Sequence, residues 1–199
     1  MFTKCGLRLF LVNTIRLWPM LLSKLKRLII NMPPRHTKSE FASYLLPAWF
    51  LGKFPHKKVI QTSHTAELAV GFGRKVRNLV DSEVFNEVFP SLSLQTDSKA
   101  AGRWNTSKGG DYFAIGIGGA VTGKGADLFI VDDPHSEQEA VLAASNPEVF
   151  DRVFDWYESG PRQRLQPGGA VVVVMTRWAA RDLTGRIIDR AAQLDKADE

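Results

Sequence analysis

The sequence lacks the features of a disulfide-bonded, zinc-binding or membrane-spanning protein. It has one cysteine, Cys5, so an intrachain disulfide is excluded. Its four histidines do not have the spacing of a zinc site. No uninterrupted apolar stretch is long enough to cross a bilayer, and no small-residue cleavage site follows the apolar segment near the N-terminus. These absences predict a soluble, unsecreted protein without structural metal.

Acidic residues are missing from the start of the chain, where the first one is Glu40. The segment before it contributes much of the formal net charge of +5, through Lys4, Arg8, Arg16, Lys24, Lys26 and Arg27 among others. A positive surface attracts phosphate groups, so the charge favours a polyanionic partner. We interpret residues 1–26 as a basic N-terminal segment, with an amphipathic helix over residues 7–25.

No repeat, low-complexity tract or linker divides the remaining chain, so residues 27–199 are predicted to form one domain. Short apolar runs alternate there with helical patterns, as in parallel strands joined by helical crossovers. Glycine-rich sequence around Lys108-Gly109-Gly110, between residues 102 and 125, predicts an inserted β-hairpin. The fold prediction is α/β with a mainly parallel sheet. The predicted strands are residues 27–31, 59–63, 128–131 and 170–176, and the predicted helices are residues 38–51 (disturbed at Pro47), 65–80, 147–157 and 181–194.

Residues 28–39 have the pattern of an apolar strand, a short loop and Lys38-Ser39 at the start of a helix. A nucleotide site needs this arrangement, because a lysine reaches the β- and γ-phosphates and a hydroxyl holds Mg²⁺. Both glycines of the usual loop are replaced here, by Met32 and Thr37. An ordinary helix cap is therefore an alternative interpretation of Lys38 and Ser39.

A second segment, residues 118–125, matches the glycine and lysine spacing of a phosphate loop better than the first. Its context is wrong, since Gly125 stands in place of the hydroxyl and a strand follows where a helix is required. We interpret it as a turn near the nucleotide.

An apolar run at residues 128–131 ends in Asp132 and Asp133. One carboxylate at the end of a strand orients a metal and its waters, and a second polarises the attacking water. We assign these roles to Asp132 and Asp133 in that order. The alternative is that the two acids only begin a turn before Pro134.

Taken together, residues 33–39, 127–134 and 174–178 resemble the phosphate loop, acidic strand and coupling motif of tailed-bacteriophage large terminase subunits. The resemblance extends over residues 28–188. It implies a P-loop NTPase-like fold that uses ATP and Mg²⁺. It also implies a homo-oligomeric ring that works in the host cytoplasm, transiently on the viral procapsid. There it contacts the portal protein and the small terminase subunit, and pumps double-stranded viral DNA inward.

The same resemblance implies roles for individual residues. Asp133 stands where many relatives carry a glutamate base, and Arg35 matches a loop residue that senses the γ-phosphate. Thr176 and Arg177 match the motif that relays hydrolysis to DNA movement. An arginine that stabilises the transferring phosphoryl group is expected among Arg162, Arg164 and Arg177. The implied ATP-binding residues are Pro34, Arg35, His36, Thr37, Lys38 and Ser39, and the implied Mg²⁺ ligands are Ser39 and Asp132.

Terminase relatives carry a C-terminal nuclease domain, and nothing after Trp178 fits it, so we expect no nuclease activity from this chain. Two other functions compete with the ATPase. One is a truncated remnant that binds DNA or motor partners without hydrolysing ATP, and the other is a helicase. The basic residues Arg74, Lys75 and Arg77 are either DNA-phosphate contacts or a solvated helix face.

Overall fold

The computed structural model describes residues 26–197, so the amphipathic helix expected over residues 7–25 lies outside the described residues. No helix within the described range is both long and apolar enough to cross a bilayer.

The described residues contain a seven-stranded sheet with the strand order β1-β7-β6-β2-β5-β4-β3. Five neighbouring strands, β1, β7, β6, β2 and β5, run parallel, and β4 and β3 extend the sheet beyond β5 as antiparallel strands. The strands are β1 (Arg27–Asn31), β2 (Lys58–Ser63), β3 (Leu94–Ala100), β4 (Arg103–Thr106), β5 (Asp111–Gly116), β6 (Ala126–Asp132) and β7 (Leu165–Met175).

Helices lie in the connections between the parallel strands, except that residues 117–125 join β5 to β6 without one. A π-helical segment (Glu40–Leu45) leads directly into α1, and a 3-10 turn (Pro161–Arg164) leads into β7. The α-helices are α1 (Leu46–Lys53), α2 (Ala66–Val80), α3 (Glu83–Val88), α4 (Glu137–Leu142), α5 (Glu148–Ser159) and α6 (Leu183–Ala197).

The sheet is covered on both faces, and β7 shows how. Val172 and Val174 belong to a core that includes side chains of α1 and α2. Val171 and Val173 belong to a second core with side chains of α5 and α6. Alternate residues of a strand point to opposite faces, so a continuous run of valines fills both cores.

The predicted fold class is confirmed: the chain is α/β, with a mainly parallel sheet flanked by helices and a hairpin at one side. The four predicted strands are β1, β2, β6 and β7. The hairpin pairs β4 with β5 around Gly109, whose φ of 83° is accessible to glycine at little cost. Just before α5, the Oδ1 of Asn146 accepts a hydrogen bond from the N–H of Glu148 at 3.2 Å.

The disturbance expected at Pro47 takes the form of the π-helical segment before it. Proline has no N–H, and its ring crowds the carbonyl four residues earlier, here that of Ser43. In the preceding turn the N–H of Leu46 bonds to the oxygen of Phe41, five residues back. The wider turn lets the helix continue through the proline, and such turns are frequent at functional sites.

Candidate active site

The loop after β1 and the acids at the end of β6 lie at the same edge of the sheet. β7 separates these two strands and ends beside them at Met175. Parallel strands place their carboxyl ends at one edge, which is where α/β folds bind ligands. The three segments expected to form the site therefore converge.

The loop before Lys38 has an unusual backbone. Arg35 and Thr37 both have positive φ, 62° and 61°. Thr37 thus adopts, at the position where the usual loop has glycine, a conformation that glycine reaches more easily. The Nδ1 of His36 donates to the oxygen of Pro34 at 2.8 Å, and the Thr37 hydroxyl donates to the oxygen of His36 at 2.6 Å. Local hydrogen bonds hold the loop in this form.

Two side-chain pairs join the loop to the end of β6. The ammonium group of Lys38 lies 2.7 Å from Oδ2 of Asp133, and the hydroxyl of Ser39 donates to Oδ1 of Asp132 at 2.8 Å. Lys38 is only 7% exposed, whereas Asp133 is 33% exposed. The two consecutive acids contact the two consecutive residues that were predicted to bind phosphate and metal.

Burial strongly affects Asp132, which is 1% exposed. Desolvation raises the pKa of its carboxyl group from 3.8 to about 6, and the nearby charge of Asp133 acts in the same direction. The hydroxyls of Ser43 and Ser39 and the charge of Lys38 oppose this rise in pKa. A divalent cation at this point would therefore be favoured, because it would stabilise a carboxylate that the protein has removed from water.

Asp133 is held from the other side by the segment after β7. Its Oδ1 accepts a hydrogen bond from the N–H of Thr176 at 2.9 Å, and its own φ is 39°. The Thr176 hydroxyl donates to the oxygen of Met32 at 3.2 Å. Thr176 therefore contacts both the catalytic candidate and the first residue of the loop, which brings the predicted coupling residue into the site.

Comparison with known proteins places this arrangement on a known fold. No family model matches the chain, and no curated protein matches it in sequence. The crystal structure of the HK97 bacteriophage large terminase is similar, with a TM-score of 0.50 and 15% identity over 85% of this chain and 33% of that chain. The chain has the fold of part of a bacteriophage large terminase. The predicted resemblance is confirmed at the level of the fold.

The Thermus phage P74-26 large terminase ATPase domain is also similar, at 14% identity and a TM-score of 0.48, with 80% of this chain and 63% of that chain covered. In the comparison with HK97, this chain spans about a third of the large terminase chain.

In the terminase fold of this chain, Arg177 is held by a buried acid that the sequence analysis missed. Asp182 is fully buried, and its Oδ2 accepts from Nε of Arg177 and from the N–H of Trp178, both at 2.9 Å. Its Oδ1 accepts from the N–H of Gly185 at 3.1 Å, as a helix cap does. The available signal was the position of Asp182 at the start of the helix predicted over residues 181–194, where aspartate is a common cap.

His135 was also missed. It is 3% exposed, and its Nε2 accepts a hydrogen bond from the N–H of Leu183 at 3.0 Å, which requires the neutral ring. Desolvation lowers the pKa of His135 to about 4, although the charges of Glu139 and Asp182 act to raise it. The loop after Asp133 is therefore bonded to the start of α6.

Arg162 and Arg164 lie far from this site. They belong to the 3-10 turn before β7, whereas the site lies after the last residue of β7. Leu165 pairs with Ala126 and Val174 pairs with Asp132, so the two ends of β7 are about 20 Å apart at the rise of a strand. Arg162 forms an ion pair with Glu158. Neither arginine reaches the phosphate loop of its own chain, so a role in catalysis would have to be exerted on a neighbouring subunit.

The turn at residues 123–125 is likewise at the amino edge. It precedes Ala126, the first residue of β6, and β6 then runs about 20 Å before it reaches Asp132. Our interpretation covered residues 118–125. Gly118 and Gly119 follow Gly116 at the carboxyl edge, but the turn at residues 123–125 lies at the opposite edge from Asp132, so the interpretation was wrong for this part. The spacing of glycines could not show at which end of the strand the turn lies.

Ser39 and Asp132 fit a magnesium ion by donor type. They offer a hydroxyl and a carboxylate oxygen, and Mg²⁺ prefers oxygen ligands and usually keeps several waters and substrate phosphates. Within residues 26–197, no group of three or more His, Cys, Asp or Glu side chains is placed to hold a metal without such help. The residues present suit a metal that arrives with a nucleotide.

Proposed function

We propose that this chain is the ATPase module of a viral DNA-packaging motor, which couples hydrolysis of Mg-ATP to movement of double-stranded DNA into a procapsid. The observation that carries the proposal is the pairing of Lys38 with Asp133 and of Ser39 with Asp132 at the carboxyl edge of a terminase-like fold.

Binding of ATP begins with an exchange of partners at Lys38. Its ammonium group is buried and pairs with Asp133, whose carboxylate is partly open to solvent. A β- or γ-phosphate that enters the loop replaces the carboxylate as the partner of Lys38, so the buried cation is never left unpaired. Asp133 is released by the same event.

Ser39 and Asp132 are the residues that would hold magnesium. The ion supplies neutralisation of phosphate charge when it is bound. The protein contributes a hydroxyl and a carboxylate that are already 2.8 Å apart, and Asp132 is fixed at the end of a buried strand. This geometry limits the reorganisation needed for the bound state.

Hydrolysis requires a base close to the γ-phosphate. Asp133, once released, accepts a proton from the attacking water, whose oxygen forms a bond to the γ-phosphorus while the bond from phosphorus to the bridging oxygen of ADP breaks. In the structure the N–H of Thr176 donates to Oδ1 of Asp133, and Oδ2 pairs with Lys38. Once Lys38 has exchanged its partner, Oδ2 is the oxygen that can accept the proton.

Movement of Asp133 is passed on through Thr176. The threonine bonds to Asp133 through its N–H and to Met32 through its hydroxyl. A shift of Asp133 therefore acts on the segment that leads to α6, where Asp182 organises Arg177 and Trp178. This is the route by which the predicted coupling residues Thr176 and Arg177 would relay hydrolysis to DNA.

An arginine that completes the site is proposed to come from Arg177 or, in a ring, from a neighbour. Arg177 would have to leave Asp182, its 2.9 Å partner, in order to reach the phosphates. Arg164 lies in a cluster with Lys58 and Lys124 at the amino edge, and Arg162 is nearby. In a homo-oligomeric ring on the portal protein, that edge is free to face the next subunit. The remaining proposed partners are the small terminase subunit and the viral DNA, in the host cytoplasm.

The proposal is tested by Mg-dependent binding and hydrolysis of ATP by the purified chain, with and without double-stranded DNA. We expect Lys38→Ala to lose binding and Asp133→Asn to lose turnover but keep binding. Binding without turnover in the wild type would point to an arginine from a neighbouring subunit. A folded wild-type chain that binds no Mg-ATP would overturn the proposal.

The alternative function is a non-catalytic remnant that binds DNA or motor partners. One observation favours it: Thr37 occupies, with a φ of 61°, the place where a phosphate loop normally has glycine. A side chain there limits the approach of a phosphate to the backbone. Replacement of Thr37 by glycine separates the two functions, since restored ATP binding in that variant alone would identify a remnant.

A further inference from the structure

A pocket of about 380 Å³ lies between the phosphate loop and α2, and nothing in the proposed mechanism uses its outer wall. Its inner wall is formed by the loop, including Arg35, Lys38 and Ser39. Its outer wall is formed by two residues of α2, Phe72 and Lys75. The pocket is open to solvent and continuous with the place where phosphate is expected.

The charges around this pocket favour an anion. Arg35, Lys38 and Lys75 are basic, and Glu40 is the acidic residue that lines the pocket. Lys38 pairs with Asp133 at 2.7 Å. The cations that remain to attract a ligand are Arg35 and Lys75, on opposite walls of the pocket.

Lys75 is held in place by its own helix. Its ammonium group lies 5.5 Å from the centroid of the Phe72 ring, one turn earlier on α2. An aromatic face attracts a cation but leaves its N–H groups free to donate to another partner. Arg74, the adjacent residue, is also exposed but does not line the pocket. The helix therefore directs one of two neighbouring cations toward the phosphate loop.

We propose that Lys75, supported by the ring of Phe72, binds a phosphate group at the outer wall of the active site. This inference rests on the proposed ATPase function and adds a residue of α2 to it. The phosphate comes either from the nucleotide or from a DNA backbone that passes over the pocket. Of the sequence alternatives for the basic residues of α2, it selects phosphate binding for Lys75 and a solvated face for Arg74.

The test measures ATP hydrolysis as a function of ATP and of DNA for Lys75→Ala, Lys75→Arg and the matched control Arg74→Ala. If the nucleotide is the source, Lys75→Ala raises KM for ATP about tenfold without DNA and leaves kcat unchanged. If DNA is the source, KM without DNA is normal, and about ten times more of a short DNA duplex is needed for half-maximal stimulation. Lys75→Arg restores the wild-type value in either case.

A second variant tests whether the ring of Phe72 supports Lys75. Phe72→Leu keeps an apolar side chain but removes the aromatic face, so we expect a smaller rise in the same parameter as in Lys75→Ala. If Lys75→Ala behaves like Arg74→Ala in both titrations, the inference is overturned while the ATPase proposal stands.

Failure of the ATPase proposal gives a different result, in which the wild type neither binds nor hydrolyses ATP. Binding of inorganic tripolyphosphate then tests whether Lys75 binds a phosphate group. Weaker binding by Lys75→Ala than by Arg74→Ala would support a phosphate site, and equal binding by the two variants would exclude one.

Discussion

The two edges of the sheet carry similar ion pairs in different surroundings. At the carboxyl edge Lys38 lies 2.7 Å from Asp133, and at the amino edge Lys57 lies 2.7 Å from Asp127. In the first pair the lysine is 7% exposed and the aspartate 33%, whereas in the second the lysine is 38% exposed and the aspartate 12%. Only the first pair has a buried cation whose acid can be displaced by an anion from solvent.

Asp127 and Asp133 have matching partners. Asp127 accepts a hydrogen bond from the N–H of Lys58 in addition to the ion pair with Lys57. Asp133 likewise accepts a hydrogen bond from the N–H of Thr176 in addition to its ion pair with Lys38. The difference between the two pairs is exposure: the acid of the carboxyl-edge pair is the more open to solvent, as the proposed exchange with phosphate requires.

Backbone strain separates the edges in the same way. Four non-glycine residues in residues 26–197 have positive φ, and three of them, Arg35, Thr37 and Asp133, lie at the carboxyl edge. The fourth, Lys26, precedes β1 at the amino edge. Strained residues persist where function requires them, so their concentration supports the carboxyl edge as the active site.

The largest effect is expected from Asp133→Asn compared with Asp127→Asn. We expect Asp133→Asn to reduce turnover about a thousandfold, because the variant loses the proposed base for the attacking water. ATP affinity should be kept, since Lys38 is unchanged and does not have to exchange a carboxylate for the phosphate. Asp127→Asn should leave turnover within about twofold of the wild type. Equal losses in steady-state ATPase assays would mean that the two edges do not differ as described.

Asp132→Asn should stabilise the fold at the expense of function. The folded pKa of about 6 lies above the unfolded value of 3.8, so the charged carboxylate opposes folding at every pH above about 6. Removal of the charge should raise the free energy of unfolding at pH 7.5 by about 3 kcal/mol and abolish the Mg²⁺ dependence of ATP binding. Urea unfolding measures the first effect, and a lower stability would contradict the account.

His135 should give the opposite dependence on pH. Its folded pKa of about 4 lies below the unfolded value of 6.5, so stability is lost as the pH falls from about 6.5 to about 4. Asp132 gains stability over nearly the same window, and the two effects largely cancel in the wild type. In the Asp132→Asn background we expect a loss of about 3 kcal/mol between pH 7 and pH 4. The further change His135→Gln should remove most of this dependence of the free energy of unfolding on pH. Urea unfolding at each pH measures it.

The smallest effect is expected from Thr37→Gly. Glycine adopts a φ of 61° without the penalty paid by threonine, so the variant should gain about 1 kcal/mol of stability. Thr122, an exposed residue of the loop before β6 without positive φ, provides the control. Thr122→Gly should be neutral or destabilising in thermal unfolding. A gain in both variants would show that strain at residue 37 is not the cause.

Much of the fold was predictable because buried parallel strands are continuous apolar runs. β1 matches its predicted bounds, and β2 begins one residue earlier. β3 was missed because Leu94–Ala100 is an edge strand with a mostly polar sequence. The first residues of β7 were missed because Gln166, Pro167 and Gly168 are exposed and do not resemble a strand.

The site was predictable where chemistry and chain order agree. Lys38, Ser39, Asp132 and Asp133 follow two apolar strands, and the rule for parallel sheets brings such ends together. The partners of these residues were not predictable, because the pairing of Thr176 with Asp133 and of Leu183 with His135 depends on the path of the chain after β7. The sequence does not distinguish Lys75 from Arg74 and Arg77. Only the position of α2 beside the loop shows that Lys75 lines the pocket.

The central claim is that Mg-ATP binds at the carboxyl edge through Lys38. Calorimetric titration of Mg-ATP into the wild type, Lys38→Ala and Lys57→Ala tests it most directly, because the two lysines form ion pairs of equal length at opposite edges. We predict binding by the wild type and Lys57→Ala, and its loss in Lys38→Ala. Undiminished binding by a folded Lys38→Ala protein would contradict the claim.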